Sequence, residues 1–272
     1  MKIFKNKKSL INEISGLKNL SFIPTMGVLH KGHEYLIKKA KLKKGKTLVS
    51  IYVNPKQFNS NDDYTSYPKN LRSDLSRLKK LKIDYLYIPN YNDIFLFKTR
   101  NNIFKDRFIK KLCGKYRKYH FEGVLNVINR FLEIIKPKYL ILGKKDFQQL
   151  HLIKKHIEHN NINTKIIACN TMRMNNGLAF SSRNKNLNSK DIVRASKVFN
   201  VLKKYKYSIK KNKIKNFNLN LIKKNIIDLG IKKIDYIECL NTKNFKNTSS
   251  YTSEFNIFIA FYIGKTRLID NV

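Results

Sequence analysis

The sequence predicts an α/β protein: a parallel, doubly wound sheet followed by a smaller α+β domain. Over about the first 175 residues, short runs of apolar and β-branched residues alternate with amphipathic helical stretches. Polar segments follow several of those runs, as they do where strands of an open α/β sheet end at a ligand. Beyond about residue 175 the alternation stops, and two helical patterns precede two strand-like ones. The corresponding domains are 1–175 and 176–272.

Taken in order, "LSFIPT" (20–25) reads as a strand, and "HEYLIKKAKLK" (33–43) as a helix with Leu36, Ile37 and Ala40 on its apolar side. "TLVSIYV" (47–53) is a buried strand. "SYPKNLRSDLSRLKKL" (66–81) is a helix with Leu71, Leu75, Leu78 and Leu81 on one face. "DYLYIP" (84–89) is a third strand. "EGVLNVINRFLEIIK" (122–136) has Val124, Val127, Ile128, Phe131 and Ile135 in helical register. "KYLILG" (138–143), "DFQQLHLIKKHIEHN" (146–160) and "TKIIAC" (164–169) continue as strand, helix and strand. Then "SKVFNVLKKYKYSIKK" and "NLNLIKKNIIDLG" read as helices, with "DYIECL" (235–240) and "FNIFIAFYIG" (255–264) as strands.

The 272 residues are enough for one large domain or two modest ones, and 42% apolar residues with 15 Tyr and 17 Phe argue against disorder. A net charge of +39 raises the question of nucleic acid. The lysines are spread along the whole chain, however. Lys, Asn and Ile dominate while Ala, Gly, Arg and Pro are scarce, a composition that AT-rich coding would place on any fold. Cys113, Cys169 and Cys239 are far apart and form no CxxC pair, which suits a reducing compartment. The N-terminal stretch has no signal-peptide core, and no window approaches the roughly 18 apolar residues of a membrane span. The expectation is a soluble, cytoplasmic protein with no membrane and no specific nucleic-acid partner.

Four segments fall just after predicted strands: "TMGVLHKGH" (25–33), "NPKQFNSNDD" (54–63), "GKKDFQQ" (143–149) and "NTMRMNNGLAFSSRN" (170–184). In the first, Gly27 and Gly32 allow close approach of the backbone, while His30 and His33 stand at a helix start, where N–H groups and the dipole favour an anion. Imidazole N–H groups there would stabilise charge on a transferring phosphate. The plainer alternative is one capping histidine and one surface histidine. Zinc is disfavoured, because no HExxH spacing exists and Lys31 follows His30. Lys145 can set a positive charge against phosphates, and Asp146 can cap the following helix or hold a ribose hydroxyl. Gln57 and Gln149 can hold a polar substrate. "SSRN" (181–184) offers hydroxyls and a guanidinium to a polyphosphate, with a cap by Ser182 as the alternative. "KGKT" (44–47) is not a phosphate loop, because Ala40 replaces its first glycine and it precedes a strand.

With these residues in place, the chain resembles the pantothenate synthetase (pantoate–β-alanine ligase) family. "PTMGVLHKGH" matches the HxGH loop of that family, and "VSIYVNPKQF", "YPKNLRSDL", "HFEGVLNVINRFLEIIKPKYLILGKKDFQQL", "NGLAFSSRN" and "RLIDN" match in order. The resemblance implies a Rossmann-like nucleotidyltransferase-type domain, a smaller C-terminal lid domain and a homodimer. It implies that ATP and pantoate give pantoyl adenylate and pyrophosphate with Mg²⁺, and that β-alanine then releases AMP and pantothenate. It places Met26, Gly27, Val28, Leu29, His30, Lys31, Gly32 and His33 along ATP, with His33 in the proton-donor position. Gly143, Lys144, Lys145, Asp146, Met172, Phe180, Ser181, Ser182 and Arg183 would complete that site. Gln57 and Gln149 would hold pantoate, with Gln57 also near β-alanine. His30, His33, Lys145 and Arg183 are the expected catalytic residues; the metal ligands are not indicated.

The chain departs from the family pattern at three single positions. Lys144 stands where an acidic residue is usual, Phe180 where a small aliphatic is, and Glu122 where arginine is. "RKYHF" (117–121) also replaces "RPGHF", so a reshaped loop is expected before His120. Two rivals remain at this stage. Another HxGH nucleotidyltransferase would want Arg or Lys at Gln57 and Gln149 for a phosphorylated substrate. A basic nucleic-acid binder would leave the strand-end segments unexplained.

Overall fold

Strands that are apolar on both faces need cover on both sides, and the buried runs of this chain obtain it from helices. The computed structural model describes residues 1–214, 218–248 and 254–272, which form two compact units, Met1–Asn170 and Thr171–Val272. The first unit runs β1 (Lys2–Phe4), α1 (Lys7–Ile14), β2 (Leu20–Thr25), α2 (Lys31–Lys41), β3 (Lys46–Ile51), α3 (Asn61–Thr65), α4 (Leu71–Lys80), β4 (Tyr85–Tyr87), α5 (Tyr91–Phe95), α6 (Cys113–Tyr116), α7 (His120–Ile135), β5 (Tyr139–Gly143), α8 (Phe147–His159) and β6 (Lys165–Cys169).

The sheet order is β1-β4-β3-β2-β5-β6, with all neighbours parallel. The chain therefore moves outward from β2 to β4 on one side, then returns to place β5 on the other side of β2. Two neighbouring strands whose connections leave in opposite directions open a crevice at their carboxyl ends. Successive residues of β2 face opposite layers. Ile23 packs with Ile37 of α2, Val49 of β3, Leu78 of α4 and Ile141 of β5. Phe22 meets Phe131 of α7, with ring centroids 5.4 Å apart, and Tyr52 and Tyr87 meet the same ring edge-on at 6.3 and 6.2 Å. The doubly wound, Rossmann-like expectation is met.

The second unit contains α9 (Ser189–Lys211), α10 (Leu219–Ile227), β7 (Lys233–Asn241), β8 (Phe255–Ile263) and β9 (Thr266–Asn271), the strands antiparallel in the order β7-β8-β9. Alternate residues of β8 (Phe255, Ile257, Ile259, Phe261 and Ile263) join Leu202 and Ile209 of α9 and Ile222 and Ile226 of α10 in one core. The third strand, β9, was not among the sequence-predicted elements. Its centre, "RLIDN", is short and carries an alternating charge, so periodicity alone does not mark it.

The helix predicted over 66–81 is shorter than expected. Pro68 lacks an amide N–H and restricts Tyr67, so α4 starts only at Leu71, capped by Asn70 accepting from Ser73 N–H. The N-terminal β1 and α1 were likewise unmarked by pattern. Among the described residues, no helix is long and apolar enough to cross a membrane.

In the second unit, Arg173 makes a two-point ion pair with Asp270 at 2.6 and 2.8 Å while its guanidinium lies 3.6 Å from the centre of the Phe199 ring. Asp270→Ala leaves that guanidinium without its carboxylate and is expected to destabilise the protein by about 3 kcal/mol in urea titration. Lys243→Ala, at the exposed Lys243–Glu254 pair, is expected to leave the urea midpoint unchanged.

Candidate active site

The first loop leaves β2 at Thr25 and is turned by positive φ at two consecutive residues, Gly27 (φ 79°) and Val28 (φ 52°). At Gly27 a Cβ would stand 3.0 Å from Asp74 Oδ2 and 3.3 Å from Ile51 Cγ2, so the left-handed backbone and the neighbours both favour glycine. What holds the turn is Asp74 of α4. Its buried carboxylate accepts from Val28 N–H at 2.8 Å and from Leu29 N–H at 2.7 Å. The amides of Val28 and Leu29 are therefore committed to protein.

His30 is the N-cap of α2, and the two histidines cap it reciprocally. His30 Nδ1 accepts from Gly32 N–H at 3.1 Å, and His33 Nδ1 accepts from His30 N–H at 3.4 Å. Their ring centroids are 4.0 Å apart. This differs from the plainer alternative of one capping and one surface histidine, and two of the N–H groups at the helix tip are already bonded within the protein. Because both Nδ1 atoms accept, each neutral ring carries its proton on Nε2, and the cap sets the tautomer. Burial pushes the His33 imidazole down to about 4; the Asp146 carboxylate pulls it up and the Lys145 ammonium adds to the fall. At neutral pH His33 is an uncharged Nε2–H donor. Lys31 is exposed, while Met26 and Gly32 are half-buried.

The charges of Lys145 and Asp146 act on His33, so the segment 143–149 lies near the first one. Gly143 ends β5, the immediate neighbour of β2, and a Cβ there would meet nothing within 4 Å. The space before it is open. Lys145 Nζ stands 3.3 Å from Asp146 Oδ1. Asp146 occupies the N-cap position of α8 but makes no capping bond with its side chain, contrary to one of the two roles expected of it. Lys144 is exposed and donates to Asn170 Oδ1 at 2.9 Å, so the departure at this position lies at the surface.

The segment 54–63 follows β3 and opens as a short 3-10 turn, Pro55–Gln57, capped by Asn54. Gln57 is buried; its Oε1 accepts from Asn54 Nδ2 at 3.2 Å, and its Nε2 lies 2.9 Å from Met26 Sδ. A thioether is a weak acceptor, so this amide keeps the capacity to donate to a substrate oxygen. Helix α7 abuts the turn through Gly123, where a Cβ would stand 2.1 Å from the Lys56 carbonyl oxygen. In the first turn of α8, Gln148 is committed to Phe108 O and Lys111 O, both at 2.8 Å, whereas Gln149 is half-buried and its side chain makes no hydrogen bond among the described residues. Tyr119 takes φ 61° where the "RPGHF" pattern has glycine, so the altered loop before His120 keeps a left-handed residue.

The remaining predicted residues belong to the second unit. Phe180 N–H donates to Met172 O at 3.1 Å, and Met172 is exposed. Ser181, rather than Ser182, caps the 3-10 turn Ser182–Asn186, accepting from Arg183 N–H at 3.3 Å. Arg183 Nη1 donates to Arg267 O at 3.4 Å. Sequence reasoning missed Asp74, Asn54 and Gly123. Asp74 carried a signal, as the lone acid in a helix otherwise charged by Arg72, Arg77, Lys79 and Lys80. Among the described residues, no group of three or more His, Cys, Asp or Glu could hold a metal ion.

The pantoate–β-alanine ligase family profile matches residues 2–272. A pantothenate synthetase of Francisella tularensis subsp. novicida is 41% identical over 271 residues, covering 98% of this chain and 94% of that protein. A crystal structure of pantoate–β-alanine ligase from Francisella tularensis, complexed with beta-gamma ATP and β-alanine, is 40% identical with a TM-score of 0.84, covering 100% of this chain and 97% of that one. The pantothenate synthetase of Thermus thermophilus, at 24% identity and a TM-score of 0.93 over 100% of this chain and 99% of that one, shares the fold.

Asp74→Ala strips two buried N–H groups of their acceptor and is expected to cost about 3 kcal/mol, with faster hydrogen exchange at Val28 and Leu29. A second prediction concerns acid. Burial also pushes His156 down to about 4, its Nε2 donating to Asn129 Oδ1 at 3.0 Å. Between about pH 6.5 and 4 the unfolded chain binds protons that folded His33 and His156 refuse, so stability falls as pH drops through that window. Urea midpoints measured from pH 7 to 4.5 are expected to fall, and more shallowly in His156→Gln.

Proposed function

The chain belongs to the pantoate–β-alanine ligase family and is a ligase, and we propose that it condenses pantoate with β-alanine through a pantoyl-adenylate intermediate. The observation that supports this reading best is that His33, capped reciprocally with His30, feels the charge of Lys145 at the ends of adjacent strands β2 and β5, where the sheet's connections diverge.

In the first step a pantoate carboxylate oxygen attacks the α-phosphorus of ATP. A new P–O bond forms as the bond to the β-phosphate oxygen breaks, and pyrophosphate leaves with that electron pair. Two anions must approach, so positioning and charge neutralisation carry the step. Lys145 supplies positive charge and the Nε2–H groups of His30 and His33 supply oriented donors. Held near 4 in the free protein, His33 gains proton affinity only when phosphate charge arrives beside it, which ties its proton-donor role to bound nucleotide. Gln57 and Gln149 hold pantoate, and the half-committed amide of Gln57 is suited to an oxygen of that substrate. In the second step the β-alanine amine attacks the acyl carbon, the C–O bond to AMP breaks, and the nitrogen loses a proton to leave the amide.

In the same reading, Met26 to His33 and Gly143 to Asp146 line ATP. Met172 and Phe180 to Arg183 are read as nucleotide-binding residues as well. The described residues do not form a metal site of their own, so Mg²⁺ is read as arriving on the nucleotide, and no step is assigned to it. A cytoplasmic homodimer without a specific nucleic-acid partner completes the reading.

Pyrophosphate release from ATP is expected to require pantoate, and AMP to appear in step with pantothenate once β-alanine is added. Release at equal rate without pantoate would overturn the reading. His33→Ala and Lys145→Ala are expected to slow the first step by about two orders of magnitude in single-turnover assays.

A further inference from the structure

The turn that carries Gln57 is gripped from behind by groups to which the reaction above gives no part. His120, the first residue of α7, is buried, and its Nδ1 lies 2.7 Å from the backbone carbonyl oxygen of Gln57. Arg117 Nη2 donates to the same oxygen at 3.2 Å, and Arg117 Nη1 lies 2.9 Å from His120 Nε2. A carbonyl can only accept and a guanidinium can only donate. The ring therefore carries its proton on Nδ1 and accepts at Nε2, and Gln57 O receives two donors, one of them cationic. At the other end of Gln57, Asn54 Nδ2 bridges Oε1 and the Gly123 carbonyl at 3.2 and 3.1 Å. Backbone and amide oxygen are both fixed, which leaves the Nε2 end to meet a ligand.

We infer that His120 and Arg117 are positioning residues for the acid substrate, acting by locking the carbonyl of Gln57 and so setting where its side-chain amide lies. The inference rests on reading Gln57 as a pantoate-binding residue. Neither side chain is assigned contact with substrate. Two of their hydrogen bonds converge on the backbone oxygen of Gln57 itself, so their loss shifts this residue. Displacement of a positioning group by about 1 Å costs as much as two orders of magnitude in rate.

The test is steady-state kinetics on the full chain with each substrate varied in turn. His120→Ala and Arg117→Met are expected to raise the pantoate KM about tenfold while the ATP KM moves less than about twofold. His120→Asn, whose amide can donate from near the place of Nδ1–H, is expected to recover most of the loss. On a Gln57→Ala background, His120→Ala is expected to add nothing further. If His120→Ala does not fold, Arg117→Met carries the comparison. Equal rises in all KM values, or no change in either variant while Gln57→Ala raises the pantoate KM, would overturn the inference alone. An unchanged pantoate KM in Gln57→Ala would overturn the assignment of Gln57, and the inference with it.

Discussion

Two backbone amides and one buried carboxylate determine what the first loop can do. With Asp74 accepting from Val28 and Leu29, the chain turns through two left-handed residues and delivers His30 to the N-cap of α2. A carboxylate beside the proposed nucleotide site looks unfavourable on charge alone. Its charge is spent on N–H groups that would otherwise point into the loop unpaired, and a buried unpaired amide is costly. The amides of Val28 and Leu29 are thus not available to an anion, and in the proposed reading side chains take that part.

Those side chains are set by the same economy of donors. Each histidine uses Nδ1 to satisfy an amide at the start of α2, so capping and tautomer selection are one event. A neutral imidazole protonated at Nε2 is a directional donor that does not add to the positive charge of Lys145. Burial keeps His33 in that state. Held down by burial, His33 takes a proton only under a strong negative field.

The charge of +39 is of a different kind. Lys144 reaches Asn170 at the surface and Lys31 is exposed, like most of the lysines that pair with nothing buried. Surface cations of this sort affect solubility and long-range attraction more than fold or chemistry. The ion pairs that organise local structure are the few that are shielded, such as Arg173 with Asp270 and Arg267 with Asp235.

Strand and helix identity in the first unit was legible because burial on both sheet faces forces apolar runs of strand length, and helices between them repeat near 3.6 residues. The candidate loops were legible for a related reason: parallel strands place all their carboxyl ends at one edge, so the residues after β2, β3 and β5 had to be neighbours. The sequence by itself determined that edge and the residue types on it. Only the tertiary structure decided which nitrogen of His30 and His33 remains a donor, that Asp74 from a helix 45 residues away holds the loop, and that Gly123 admits α7 to the Gln57 turn. These depend on hydrogen bonds and sub-4 Å contacts between residues distant in the chain, which leave no period in the sequence to read.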